Sequence, residues 1–343
     1  MMLKTLEIEN FTILAAHTCL RFSPGLNVVI GENASGKSHL LKLAYTLTAI
    51  AHEAASVKPD EEKFAQMVGR KLLRVFRPQK IGNIVHRGEK SASIRVGFAD
   101  ARCDYSFSFN TRSRTDVTIT RMPEAFPADP PLFLPTREII SIWPGFSTLY
   151  QRHDLGFDAT YYDLAHRLES PAIDAIDQKL ATIAARLERL IGGTLHLKSG
   201  RFVLEQQDGV SMEIDLVAEG IRKIATLDYL IRNGSIRRGT TLFWDEPEND
   251  LNPRLIRPIA EVLLMSIDAG VQIFIATHSL FLLRELEILT MRRSYAHIPQ
   301  RYITFNPRKT GIEVMQGDRI EEVEPIAALD ESLAQSDRYL ELE

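Results

Sequence analysis

The run Gly31-Glu32-Asn33-Ala34-Ser35-Gly36-Lys37-Ser38 constrains what this chain can fold into more than any other segment. Its spacing, G-x-x-x-x-G-K-S, is that of a phosphate-binding loop, in which small residues let backbone N–H groups wrap a polyphosphate. The flanks are those the loop requires. Leu26-Asn27-Val28-Val29-Ile30 reads as a buried strand leading in, and Leu40, Leu41, Leu43, Ala44, Leu47, Ile50 and Ala51 recur at helical spacing leading out. A nucleoside triphosphate is the expected ligand, held by residues 31–38 with His39 directly behind them. Lys37 is expected to reach the terminal phosphates and the Ser38 hydroxyl to take one position on Mg²⁺.

The bulk properties bound the rest. The chain has 343 residues, 45% hydrophobic and 25% charged, which is ordinary globular composition with ample core. No apolar run approaches the roughly 18 residues of a membrane span, and Met1-Met2-Leu3-Lys4 leads into a strand rather than a signal peptide. The two cysteines, Cys19 and Cys103, show no metal spacing and suit a reducing compartment, so a cytoplasmic protein is expected. A net charge of −4 argues against a surface coated for nucleic acid, but the charge is uneven. Arg70, Lys71, Arg74, Arg77, Lys80, Arg87, Lys90 and Arg95 cluster against Glu89 alone, a candidate face for a phosphate backbone or an acidic partner. Residues 321–343 carry Glu321, Glu322, Glu324, Asp330, Glu331, Asp337, Glu341 and Glu343 against Arg338, and read as a solvated, partly helical tail.

Along the chain, Leu3 to Glu9 and Cys19 to Phe22 read as strands, and Phe64, Met67, Val68, Leu72 and Val75 mark a helix whose other face is basic. Alternation from Ser91 to Thr120 predicts antiparallel strands. Ser170 as N-cap, Pro171 at the first turn and Gly192-Gly193 as a stop predict a helix over 170–191. On it Ile173, Ile176, Leu180, Ile183, Leu187 and Leu190 form a heptad seam of only about three repeats, too short for a long coiled-coil arm. A small meander is expected from Leu195 to Ile214. Strand and helix then alternate: Gly220 to Arg232 helical, Thr241 to Trp244 extended, Pro253 to Ile267 helical, Val271 to Ala276 extended, Leu280 to Leu289 helical, with a closing hairpin at 302–315.

Two of those strands end in chemistry. Thr241-Leu242-Phe243-Trp244 runs into Asp245 and Glu246. Asp245 suits Mg²⁺ beside Ser38, and Glu246 is placed to polarise a water for in-line attack on the γ-phosphate. Val271 to Ala276 runs into Thr277-His278-Ser279, which puts His278 on the ligand edge of an open α/β sheet, where it can hydrogen-bond the γ-phosphate or the attacking water.

Residues 31–38, Asp245-Glu246-Pro247-Glu248 and Ala276-Thr277-His278-Ser279 together resemble an ATP-binding-cassette ATPase, within the soluble branch of SMC, RecF and OLD-like proteins. Leu3-Lys4-Thr5-Leu6-Glu7-Ile8-Glu9-Asn10-Phe11 is similar to the first strand of that branch. The resemblance implies an α/β P-loop NTPase of the ABC type, with a mixed sheet, an antiparallel β layer and an inserted short helical lobe. The core would comprise 1–57, 131–140 and 194–320, the lobe 58–130 and 141–193, and the tail 321–343. It implies ATP and Mg²⁺ as cofactors and catalytic roles for Glu246 and His278. It makes Asn249-Asp250-Leu251-Asn252-Pro253 the D-loop, which touches a partner subunit. Leu216 to Lys223 takes the place of the signature loop, whose Gly220 would meet the partner's γ-phosphate. Ala218 and Glu219 depart from the family's usual serine, with Arg222 or Lys223 offsetting the Glu219 charge. Arg137 or Glu138 would stand for the glutamine loop. The implied assembly is a homodimer closed by an ATP sandwich, serving a separate effector protein in defence or toxin–antitoxin biology. The alternatives are a DNA-clamping repair factor using Arg70, Lys71, Arg74, Arg77 and Lys80, and a scaffold with little turnover.

Overall fold

The computed structural model describes residues 2–15, 17–308, 311–323 and 326–340. β1 (Leu3–Glu9) and β2 (Thr18–Arg21) precede β3 (Leu26–Gly31), which passes through residues 32–36 into α1 (Lys37–Val57). α2 (Glu61–Phe76) follows, capped by Asp60, whose side chain accepts from the Lys63 N–H. Next come β4 (Ser91–Phe98), β5 (Tyr105–Asn110), β6 (Thr118–Arg121), β7 (Leu132–Leu134), α3 (Phe146–Arg152), α4 (Ala159–Leu168) and α5 (Gln178–Ile191). A meander of β8 (Gly193–Lys198), β9 (Arg201–Gln206) and β10 (Ser211–Glu213) leads to α6 (Glu219–Arg232). The chain then alternates β11 (Thr241–Asp245), α7 (Pro253–Asp268), β12 (Gln272–Thr277) and α8 (Leu280–Thr290) before β13 (Gln300–Arg308), β14 (Gly311–Gly317) and α9 (Ala327–Leu340).

The central sheet has the order β14-β13-β3-β12-β11-β7, parallel except for β14. Its side chains alternate between two cores, as the two-residue period of a strand requires. Val28, Ile30, Leu242, Trp244, Ile273 and Ile275 face the helical layer of α5 to α8. Val29, Phe243, Phe274 and Ala276 face α1 and the antiparallel layer. That layer, ordered β2-β1-β4-β5-β6, joins the strands at 91–121 to β1 in one antiparallel sheet. A buried side chain fastens the layers. Gln272 Nε2 donates to Leu3 O and Ser23 O, each at 2.8 Å, and Gln272 Oε1 accepts from Leu3 N–H at 2.8 Å.

Two sequence expectations change. The helix over 170–191 begins at Gln178, because the Asp177 carboxylate takes the Lys179 and Leu180 N–H groups and so caps it. Ile173 lies outside the helix, its N–H bonded to Arg232 O and its side chain against Gly234, which leaves Leu180, Ile183 and Leu187 as the buried seam. Part of the basic run from Arg70 to Lys80 is also committed inside the chain, with Arg70, Arg74 and Arg77 still exposed. Lys71 is only 6% exposed, and its Nζ sits 2.6 Å from Glu53 Oε1 and 2.8 Å from Asp163 Oδ2. Burial alone would lower that ammonium, but the two carboxylates hold its pKa above the lysine value. Arg74 lies over the Tyr162 ring, Arg77 pairs with Asp154 and with the Leu155 and Phe157 carbonyls, and Lys80 donates to Thr111 O. The sequence could not show this, since an amphipathic pattern says nothing of acids distant in the chain.

Lys71→Met is therefore expected to destabilise the fold by about 2–4 kcal/mol in urea unfolding, because it leaves Glu53 and Asp163 facing each other without their cation. Of the acidic tail, Glu324, Glu341 and Glu343 lie outside the described residues. Among those described, no helix is long and apolar enough to cross a membrane.

Candidate functional site

The strand registers bring the site together. Ile30 pairs with Thr277, Ala276 with Asp245, and Trp244 with Leu134, so the phosphate loop, His278, Asp245-Glu246 and Thr136 all leave the same carboxyl edge of the sheet. The loop itself is a left-handed turn. Ala34 has φ 62° and Gly36 φ 98°, and Ile13 packs so closely on Gly36 that a Cβ there would lie 2.2 Å from Ile13 Cδ1. Lys37 reaches back across the turn, its Nζ donating to Gly31 O and Glu32 O, both at 2.8 Å. Burial lowers the Lys37 ammonium while Glu246, Asp245, Glu248 and Glu32 pull it up. His39 lies past the loop, with its ring 5.8 Å from that of Phe76 and its imidazole pushed down by burial.

Asp245 is 5% exposed and holds two hydroxyls, Ser38 Oγ on Oδ1 at 3.0 Å and Thr136 Oγ1 on Oδ2 at 3.3 Å. Burial pushes its carboxyl up, and the Ser38 hydrogen bond works against that. A hydroxyl and a carboxylate in contact are hard oxygen donors of the kind Mg²⁺ takes beside nucleotide phosphates, so this pair fits the ion. Thr136 escaped the sequence reading, which looked to Arg137 or Glu138. Arg137 is exposed, and Glu138 turns away to Arg222 Nε at 3.2 Å and Ser141 Oγ at 2.6 Å.

The catalytic candidates meet. His278 Nδ1 lies 3.2 Å from Glu246 Oε1, and the Glu246 N–H extends the ladder to Ala276 O at 2.9 Å. Glu246 has φ 50°, a left-handed conformation that a glutamate adopts at a cost of about 1–3 kcal/mol. That turn lifts its carboxylate off the strand line and toward the neighbouring His278. Two residues on, Glu248 Oε1 accepts from Thr277 Oγ1 at 2.5 Å.

The expected signature and D-loop residues form a second group. Ala218 precedes α6 without a side-chain cap, Glu219 opens the helix, and Gly220 is buried. A Cβ at Gly220 would lie 2.4 Å from Asp250 O, so only glycine permits this approach. Lys223 Nζ donates to Asn249 O at 2.9 Å and pairs with Asp250 at 3.5 Å. Arg222 is taken by Glu138, and the Asn252 side chain caps α7 through Arg254 N–H at 3.0 Å. The cations expected to offset Glu219 thus face Glu138 and residues 249–250. One more feature lay beyond sequence reasoning: Ile326, Ala328, Asp330 and Glu331 of the tail share a cavity of about 650 Å³ with Gly31, Glu32, Asn33 and His278.

A family model described as "AAA domain, putative AbiEii toxin, Type IV TA system" matches residues 144–284. The chain is 28% identical over 123 residues to the chromosome partition protein Smc of Mycobacterium tuberculosis (strain ATCC 25618 / H37Rv), a match covering 35% of this chain and 8% of that protein. Among solved structures it is similar to an Smc head bound to the C-winged helix domain of ScpA, with TM-score 0.59 at 13% identity over 94% of this chain and 99% of that one. It is also similar to the SMC head domain from Thermotoga maritima, with TM-score 0.51 at 12% identity over 93% of this chain and 100% of that one. An Smc head with an extended coiled coil, bound to the C-terminal domain of ScpA derived from Pyrococcus furiosus, gives 0.56 at 11% identity over 98% and 99%. At such identities the structural likeness concerns the fold.

Proposed function

We propose that this chain, a P-loop ATPase of the ABC/SMC-like type, works as an ATP-dependent dimeric clamp that controls a separate effector protein. The observation that carries the reading is the division of its site. The phosphate loop, Asp245-Glu246 and His278 leave one edge of the sheet, while Gly220 packs on Asp250 and Lys223 donates to Asn249 O, which ties the 218–223 segment to the expected D-loop. A second copy related by a two-fold axis would bring its 218–220 loop to the phosphates and complete both sites at once. Ser38 and Asp245 would hold Mg²⁺, which neutralises phosphate charge when bound. Lys37 would hold the terminal phosphates, Glu246 would polarise the attacking water, and His278 would donate to the γ-phosphate. ATP binding would favour the closed dimer and hydrolysis would release it. The AbiEii description of the matching family supports an effector in toxin–antitoxin biology, and the ScpA-bound heads support a protein partner.

Trans complementation tests this. Gly220 is unsuitable because a side chain would strike Asp250, but Ala218 is exposed, so Ala218→Trp obstructs the trans contact without disturbing the core. Lys37→Ala and Ala218→Trp chains should each be inactive alone. Mixed in equal amounts they should recover about a quarter of wild-type turnover, since half the dimers are mixed and each holds one intact site. No recovery from two folded chains would refute the shared site.

A further inference from the structure

We propose that Glu248 is a positioning residue that locks the turn carrying His278 to the turn carrying Glu246, so that the two groups address the γ-phosphate as one unit; this rests on the roles of Glu246 and His278 given above. The lock has two halves. On one side Ser279 N–H donates to Thr277 Oγ1 at 2.9 Å, and Thr277 Oγ1 donates to Glu248 Oε1 at 2.5 Å, which fixes the backbone on either side of His278. On the other side Asn249 N–H bonds Glu246 O and Leu251 N–H bonds Glu248 O, both at 3.1 Å, so residues 246–251 form one closed turn. Glu248 thus joins these turns beside the Glu246–His278 contact.

A short hydrogen bond from a neutral hydroxyl to a carboxylate in a low-dielectric setting is directional and strong enough to choose between loop conformations. The other carboxylate oxygen, Oε2, is buried and has no hydrogen-bond partner among the described residues, so Glu248 occupies a place that burial disfavours. Burial accordingly pushes its carboxyl up, against the Thr277 bond and the nearby His278. The hydroxyl bond from Thr277 is the side-chain hydrogen bond that holds Glu248 there, with its own backbone N–H beside it. The geometry also gives the D-loop a route to the chemistry. Displacing residues 249–251 moves Glu248, and Glu248 moves Thr277 and His278.

The experiment compares Glu248→Ala, Glu248→Gln, Thr277→Val, Thr277→Ser and the Ala/Val double variant in the full-length chain, measuring ATP affinity and steady-state kcat and KM. Glu248→Ala and Thr277→Val should each lower kcat by about 10- to 100-fold, with ATP affinity and KM within about three-fold, because misplaced groups slow chemistry without weakening binding. The double variant should match the worse single one. Glu248→Gln and Thr277→Ser keep an acceptor and a donor and should retain most activity, which a requirement for folding or charge alone would not give. An unchanged kcat in Glu248→Ala, additive effects in the double variant, or a Gln variant as slow as the Ala variant would overturn the inference. Should Glu246→Gln be inactive while Glu248→Ala turns over normally, this inference falls and the catalytic reading stands. Should Glu246→Gln itself turn over normally, both fall.

Discussion

Lys37→Ala is expected to lower ATP turnover by more than about 100-fold and to weaken ATP binding by a similar factor. The size of the effect follows from the charge around the loop. Glu246, Asp245, Glu248 and Glu32 all act on the Lys37 ammonium, which makes it a central cation of a carboxylate-rich edge. A triphosphate brought to this edge without Lys37 meets those acids with little protein charge to oppose them. The side chain is also pre-organised. Spanning Gly31 O and Glu32 O at 2.8 Å each, it braces the turn. Truncation removes both the charge and the brace. A fluorescent ATP analogue reports binding, phosphate release reports turnover, and thermal melting checks that the chain still folds. Turnover within a few-fold of wild type would show that the loop serves some other ligand.

Glu246→Gln should separate binding from chemistry. The substitution keeps the shape of the side chain and its capacity to meet His278 Nδ1, 3.2 Å away, while removing the carboxylate proposed as the base. Turnover should fall by about 10²–10⁴, with ATP affinity within a few-fold. If hydrolysis opens the clamp, this variant with ATP and Mg²⁺ should accumulate as a dimer in light scattering, while the wild type passes through that state. A monomeric Glu246→Gln chain saturated with ATP would exclude the clamp. His278→Ala should be slow as well but less so, because a donor to the γ-phosphate is partly replaceable by water.

Much of the architecture was legible because its signals are local. Each strand of the nucleotide edge is a short apolar run ending in a polar group, and the runs at 26–30, 241–244 and 271–276 read directly as parallel strands. The phosphate loop carries its own spacing. What escaped the sequence depends on contacts across it. Nothing near Lys71 announces Glu53 and Asp163, so a buried ion-pair cation read as part of a basic face. Thr136 holds Asp245 across 109 positions, and one hydroxyl among many threonines gives no pattern. The start of α5 was misread for a simpler reason. Ser170-Pro171 and Asp177 are rival caps, and the helix starts at the second, where the Asp177 carboxylate takes the Lys179 and Leu180 N–H groups.

The position of β13 has a consequence for how this protein is made. β3, which bears the phosphate loop, is flanked by β12 and β13, so both of its hydrogen-bonding partners come from residues 272–308. On the ribosome that strand waits unpaired on both edges for roughly tens of seconds after it emerges. The antiparallel layer can assemble earlier, since β1, β2, β4, β5 and β6 are complete by Arg121. The nucleotide edge is thus among the last parts of the chain to form. Until then, β3 is an apolar segment that nascent-chain chaperones are suited to shield.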